Sequence, residues 1–163
     1  MKDFKLFLDL IRIKKPIGIM LLFWPCSWGL TLVNDFSNGY SQYILYLIYF
    51  FLGAILMRSA GCIVNDILDR KYDILVDRTK NRPIASGKIS VSLSLLYVVI
   101  LCALAFLILI QFNFITILLG LASMPFAFSY PLMKRYTYWP QLFLGFTFNY
   151  GLIMAWFSIK PEF

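Results

Sequence analysis

The sequence predicts an all-α fold, a polytopic bundle of about five transmembrane helices, and three observations carry that prediction. Apolar residues make up 61% of the 163-residue chain and charged residues only 14%, far from the balance of a soluble domain. The apolar residues gather in runs that approach the ~20 needed to cross a bilayer as a helix. The remaining charges collect between those runs, and the basic ones fall almost entirely on alternate connections.

Taken in order, residues 1–15 set Lys2, Lys5, Arg12, Lys14 and Lys15 against Phe4, Phe7, Leu8 and Ile11 on one face. That is the pattern of an amphipathic helix lying in a membrane interface. No small-residue cleavage site follows the first apolar run, so no cleaved signal peptide is expected. Pro16 suits the first turn of the next helix. Spans are expected at about 17–33, kinked by Pro25, and at about 43–64, joined by a polar turn. The second span delivers the chain into the longest polar stretch, 65–89, which closes on Asn81-Arg82-Pro83-Ile84-Ala85-Ser86-Gly87. Further spans follow at about 91–110, 114–130 and 140–158, and the whole chain reads as one transmembrane domain.

Fourteen of the fifteen Lys and Arg lie on one side of this arrangement, with Lys160 alone on the other. The N terminus and the stretch after the second span are therefore expected on the cytoplasmic or matrix side. The same distribution accounts for the net charge of +7 without a nucleic-acid partner. With no histidine in the chain, His-based zinc sites and His-dependent triads are excluded. Cys26, Cys62 and Cys102 each sit in an apolar run and read as small buried hydrophobes.

The chemistry concentrates in 65–78. On a helix, Asp66, Asp69, Asp73 and Asp77 fall at i, i+3, i+7 and i+11, and Asn65 joins them within a sector of roughly 120°. Like charges stacked this way repel unless something cationic sits against them. Arg70, Lys71 and Arg78 point largely off that sector. A divalent metal fits better, because clustered hard oxygens with open positions suit Mg²⁺ that also holds a phosphate-bearing ligand. The plainer alternative is a solvated loop of mixed charge. Arg58, about two turns before Asn65, is a functional candidate by its depth, against the alternative of snorkelling to the interface. A metal–carboxylate mouth above an apolar, aromatic interior suits a diphosphate with a long hydrocarbon tail, although most of the sixteen Phe are expected to serve membrane packing.

Arg12-Ile-Lys-Lys-Pro16-Ile-Gly18, then Met57-Arg58-Ser-Ala-Gly61-Cys-Ile-Val-Asn65-Asp66-Ile-Leu-Asp69-Arg70-Lys-Tyr-Asp73, closely resembles the UbiA-type intramembrane prenyltransferases. Arg78-Thr-Lys-Asn-Arg82-Pro83-Ile-Ala-Ser-Gly87 and Tyr130-Pro131-Leu-Met-Lys134-Arg135-Tyr-Thr137 extend the match, which runs from about residue 12 to 157. The last two segments point to the branch that accepts 4-hydroxybenzoate in ubiquinone synthesis. What the resemblance implies is Mg²⁺-dependent transfer of a polyprenyl group from polyprenyl diphosphate to the ring of 4-hydroxybenzoate, ortho to its hydroxyl. Asn65, Asp66, Asp69 and Asp73 would bind the metal. Asp69, Asp73 and Arg135 would carry the chemistry, and Arg58, Asn65, Lys134 and Arg135 would contact substrate. Arginine suits a carboxylate by bidentate pairing. For Lys134 and Arg135 the alternative is plain topology anchoring.

The resemblance further implies a bacterial or mitochondrial inner membrane. Family members are similar to a bundle of about nine helices with a second aspartate-rich motif, whereas beyond Asp77 the only acid here is Glu162. The chain is thus expected to match the N-terminal portion of that fold, with a second chain as a candidate source of the other motif. Three alternatives stand beside the leading reading: a non-catalytic subunit that binds polyprenyl diphosphate, a prenyltransferase with another aromatic acceptor, and an ion path through Arg58 and the aspartates.

Overall fold

The computed structural model describes residues 2–162, with the side chains of Lys2, Asp3, Asn38, Tyr130, Lys134 and Arg135 outside that description. Among the described residues the regular structure is helical: α1 (Lys2–Leu10), α2 (Ile17–Val33), α3 (Ser41–Asp73), α4 (Val91–Leu109), α5 (Phe114–Tyr136) and α6 (Pro140–Ile159), with a 3₁₀ turn over Phe36–Asn38. The helices α3, α4 and α6, and the Phe114–Met133 stretch of α5, are long and apolar enough to cross a membrane. At 17 residues, α2 sits at the lower end of spanning length.

Three elements differ from the sequence reading. The amphipathic helix α1 stops at Leu10 rather than running to 15. Its end is a Schellman closure: Ile13 N–H donates to Leu8 O at 3.3 Å and Arg12 N–H to Asp9 O at 3.3 Å. Arg12 occupies the left-handed position with φ 56°, a place usually taken by glycine.

Second, α3 does not end at 64 but continues through the aspartates, reaching 33 residues. That is about 50 Å of helix, well beyond the ~30 Å hydrocarbon core. An apolar stripe keeps it helical: Ala60 and Ile63 are buried, and Ile67 packs against the same cluster of Leu10, Ile84, Ile89 and Leu101. Arg70 and Lys71 in the last turn also favour the negative end of the helix dipole. Third, α5 runs past Pro125 and Pro131 to Tyr136 instead of stopping at 130.

The helices α2, α3, α5 and α6 close a ring in which α2 touches α3 and α6, while α5 touches α3 and α6; α4 packs on α3. Between α2 and α6 the approach is so close that a Cβ on Gly29 would lie 2.5 Å from the Leu152 carbonyl oxygen. Small residues allow such contact between membrane helices. Asn113 fastens the other side: its Oδ1 accepts from Thr116 N–H at 3.0 Å, while Nδ2 donates to the carbonyls of Phe157 (2.7 Å) and Ser158 (3.0 Å).

Two apolar clusters occupy opposite ends of the ring. At one end Leu10, Ala60, Ile63, Ile84, Ile89 and Leu101 bind α1 and the 74–90 connection onto α3 and α4. At the other, Cys26, Leu30, Phe50, Phe112 and Ala155 join α2, α3 and α6 with the α4–α5 turn. The first cluster matters for function, because it holds two connections over the aspartate-bearing end of α3.

Candidate functional site

Asn65, Asp66, Asp69 and Asp73 all lie on the last turns of α3. Asp66 is only 2% exposed and Asp73 is buried, whereas Asn65 and Asp69 are half-buried. Two buried carboxylates near the C-terminal end of a helix oppose both desolvation and the helix dipole, so they need cations. The structure supplies arginines.

Arg12, swung round by the left-handed turn after α1, pairs through Nη2 with Asp66 Oδ1. Arg82 comes from the 74–90 connection. Its Nη1 donates to Asp73 Oδ2 at 2.7 Å and to Asp66 Oδ1 at 3.3 Å. That connection is held back on α3 by Thr79, a buried residue whose hydroxyl donates to the Asp73 carbonyl oxygen at 3.0 Å. Pro83 and Ile84 are buried beside it. The sequence reading assigns the acidic face to a metal and gives neither arginine a role there. Arg12 and Arg82 stand 54 and 16 positions from Asp66, so no helical spacing reveals them. The one available signal is the unbalanced charge of the face itself.

Asp77 leaves the set. The helix has ended, Leu75 N–H donating to Tyr72 O and Thr79 N–H to Val76 O in successive turns. The Asp77 side chain is therefore 97% exposed and, among the described residues, pairs with Lys80 alone, at 2.8 Å. The i+11 position of the periodic reading does not exist in the fold.

Among the described residues no group of three acidic or thiol side chains converges on one point. The donor chemistry nevertheless fits Mg²⁺. Asp66 and Asp73 present oxygens within 3.3 Å of one shared position, which the Arg82 nitrogen fills, and hard carboxylate oxygens are what Mg²⁺ takes. A position that both carboxylates share is one a cation can hold.

Arg58 lies eight residues before Asp66 on α3, half-buried, with its guanidinium against Gly18 at the start of α2. Among the described residues no carboxylate pairs with it. Arg58 thus stands two helical turns, about 12 Å along α3, from Asp66, on the side that faces α2. Lys134 and Arg135 fall in the last turn of α5, and their side chains lie outside the described residues.

Beyond Met57 the interior becomes apolar. A cavity of about 170 Å³ lies between all five long helices, lined by Tyr49, Phe50, Phe106, Phe112, Phe126 and Tyr150 among others. Met57 is nine residues, or about 13 Å of helix, from Asp66. This aromatic lining suits a hydrocarbon.

A model of the UbiA prenyltransferase family matches residues 22–163. The mitochondrial 4-hydroxybenzoate polyprenyltransferase of Caenorhabditis elegans is 42% identical over 160 residues, 98% of this chain and 44% of the relative. Those of Rattus norvegicus and Bos taurus are 46% and 47% identical over 154 residues, 94% of this chain and 41% of each relative. The chain therefore spans about two fifths of the length of these curated relatives. Among solved structures, one described as giving insights into digeranylgeranylglyceryl phosphate synthase superposes with a TM-score of 0.73 at 21% identity, covering 99% of this chain and 56% of that one. A UbiA homolog from Archaeoglobus fulgidus bound to DMAPP and Mg²⁺ superposes with a TM-score of 0.70 at 20% identity, over 96% of this chain and 55% of that one. At such identities the structures speak for the fold, while the family match covers most of the sequence: the chain belongs to the UbiA prenyltransferase family.

Proposed function

We propose that this chain serves Mg²⁺-dependent transfer of a polyprenyl group from polyprenyl diphosphate to 4-hydroxybenzoate, ortho to its hydroxyl, in ubiquinone synthesis. The observation that carries the reading is the cation position shared by Asp66 and Asp73, with a second guanidinium, Arg12, beside it. Asn65 and Asp69 on the same helix end extend the donor set. When bound, Mg²⁺ supplies Lewis-acid stabilisation of the departing diphosphate.

The chain's own residues do the rest. Asn65, Asp66, Asp69 and Asp73 would hold the Mg²⁺ at the end of α3 and so bring the diphosphate there. Arg12 and Arg82 are placed to exchange carboxylate oxygens for phosphate oxygens, the planar fork serving either. Arg58, a cation without a described carboxylate partner, takes the carboxylate of the acceptor and so orients its ring. The apolar cavity beyond Met57 takes a stretch of the hydrocarbon tail and keeps water from the reacting carbon. Lys134 and Arg135, near the same end, are further candidates for the diphosphate.

The proposed setting is an inner membrane, with the aspartate end on the cytoplasmic or matrix side, as the basic residues favour. A second reading is that the chain binds polyprenyl diphosphate and needs another chain for turnover. Membranes from a host without its own enzyme, carrying this chain, Mg²⁺, a polyprenyl diphosphate and labelled 4-hydroxybenzoate, decide between them. Prenylated product that vanishes with EDTA and with Asp69→Asn supports the enzyme; metal-dependent binding without product supports the subunit.

A further inference from the structure

The guanidinium of Arg58 rests on the bare backbone of Gly18, the second residue of α2. A Cβ built on Gly18 would lie 2.7 Å from Arg58 Cζ and 2.8 Å from Nη2, with Nε closer still. No side chain other than hydrogen fits there while Arg58 stays where it is. Gly29 makes an informative contrast, since its Cβ would strike the carbonyl of Leu152, an atom of the α6 backbone. At Gly29 a methyl group must push the α2 and α6 backbones away from each other. At Gly18 the three nearest atoms it would meet all belong to the end of one flexible side chain, Arg58, so the arginine swings away before the helices part.

We propose that Gly18 is a positioning residue for acceptor binding: its missing Cβ is the seat that fixes the plane of the Arg58 guanidinium. This deepens, and rests on, the reading of Arg58 as the carboxylate contact. Bidentate pairing needs the fork held in one plane and at one depth, and an unseated arginine spreads over many rotamers. Gly18 prevents that by giving Arg58 a flat surface to lie on.

The test uses the full chain purified in detergent and equilibrium binding of radiolabelled 4-hydroxybenzoate, with phenol as the ligand lacking a carboxylate. The variants are Gly18→Ala, Arg58→Lys, the double variant, and Gly145→Ala as the control, a glycine whose Cβ would meet nothing within 4 Å. We expect Gly18→Ala to keep the wild-type melting temperature and to weaken 4-hydroxybenzoate binding about tenfold, the loss of one charge-assisted hydrogen bond. Phenol binding should not change. In the Arg58→Lys background, Gly18→Ala should add less than about twofold, because no fork remains to be unseated.

Wild-type affinity in Gly18→Ala overturns the proposal, and so does an equal loss for phenol or an undiminished loss in the Arg58→Lys background. A Gly18→Ala chain that fails to fold contradicts it too, since the helices and not the arginine would have given way. If the wild type binds no 4-hydroxybenzoate, or Arg58→Lys binds it undiminished, the carboxylate role of Arg58 fails first and this inference with it. If Arg58→Lys loses binding and Gly18→Ala does not, only the seat is wrong.

Discussion

Arg82 Nη1 donates to Asp73 Oδ2 at 2.7 Å, joining the connection after α3 to the last residue of α3 itself. The same nitrogen reaches Asp66, so one cationic atom answers two buried carboxylates seven residues apart. Three consequences can be measured on the cations and carboxylates around it, and a fourth at the opposite end of the ring.

Replacing Arg82 by Gln leaves Asp66 and Asp73 short of a cation. Because the Arg82 side chain is 26% exposed, the loss of stability should be moderate, about 1–3 kcal/mol. The affinity for Mg²⁺ alone should rise, since the shared position is no longer filled by the protein. Thermal melting in detergent with and without Mg²⁺ reads both effects, and a variant that Mg²⁺ stabilises no better than wild type would show that the position is not one a metal uses.

Arg12 combines two roles that substitution separates. Arg12→Gly removes the pair to Asp66 but suits the left-handed φ of 56°, whereas Arg12→Ala removes the pair and retains the strain. Arg12→Ala should be the less stable of the two by about 1 kcal/mol. Equal melting temperatures would mean that the turn after α1 relaxes once the ion pair is gone.

Asp77→Asn should be nearly silent, within about 0.5 kcal/mol in stability, because its side chain is exposed and pairs with Lys80, itself exposed. Asp73→Asn at the same helix end should weaken metal-dependent ligand binding at least about tenfold. A comparable loss from both in a ligand-binding assay would restore Asp77 to the site.

At the opposite end, Phe112 fills the space between Tyr46, Tyr49 and Phe50, with ring centroids 4.9, 5.8 and 4.9 Å away. Phe112→Ala should cost about 3 kcal/mol through the cavity it leaves. Urea or thermal unfolding in detergent checks this; a much smaller loss would show that the α4–α5 turn collapses into the gap.

Much of this architecture is legible from the order of residues. Long apolar runs between charged connections announce membrane-length helices, and Pro16 marks where one of them begins; that Ser90 and Asn113 cap two others is seen only in the structure. The aspartates at helical spacing announce the acidic face. What spacing cannot announce is partnership across the chain. Asp77 fits the period but falls beyond the end of α3, because Thr79 folds the backbone onto Asp73. Arg12 reaches Asp66 only because α1 ends in a left-handed turn at a residue other than glycine. Gly18 reads as an ordinary helix residue until Arg58 is seen lying on it. The polar 65–89 stretch reads as a loop because its charges mask a short stripe, Ala60, Ile63 and Ile67, that keeps α3 wound.

The central claim is that the carboxylates at the end of α3 hold a diphosphate through Mg²⁺. Equilibrium binding of a labelled polyprenyl diphosphate to the purified chain tests it most directly, for wild type, Asp73→Asn and Asp77→Asn, each with Mg²⁺ or with EDTA. Binding should require Mg²⁺, fall at least about tenfold in Asp73→Asn, and be unchanged in Asp77→Asn. Binding that persists in EDTA, or that is indifferent to Asp73, would contradict it.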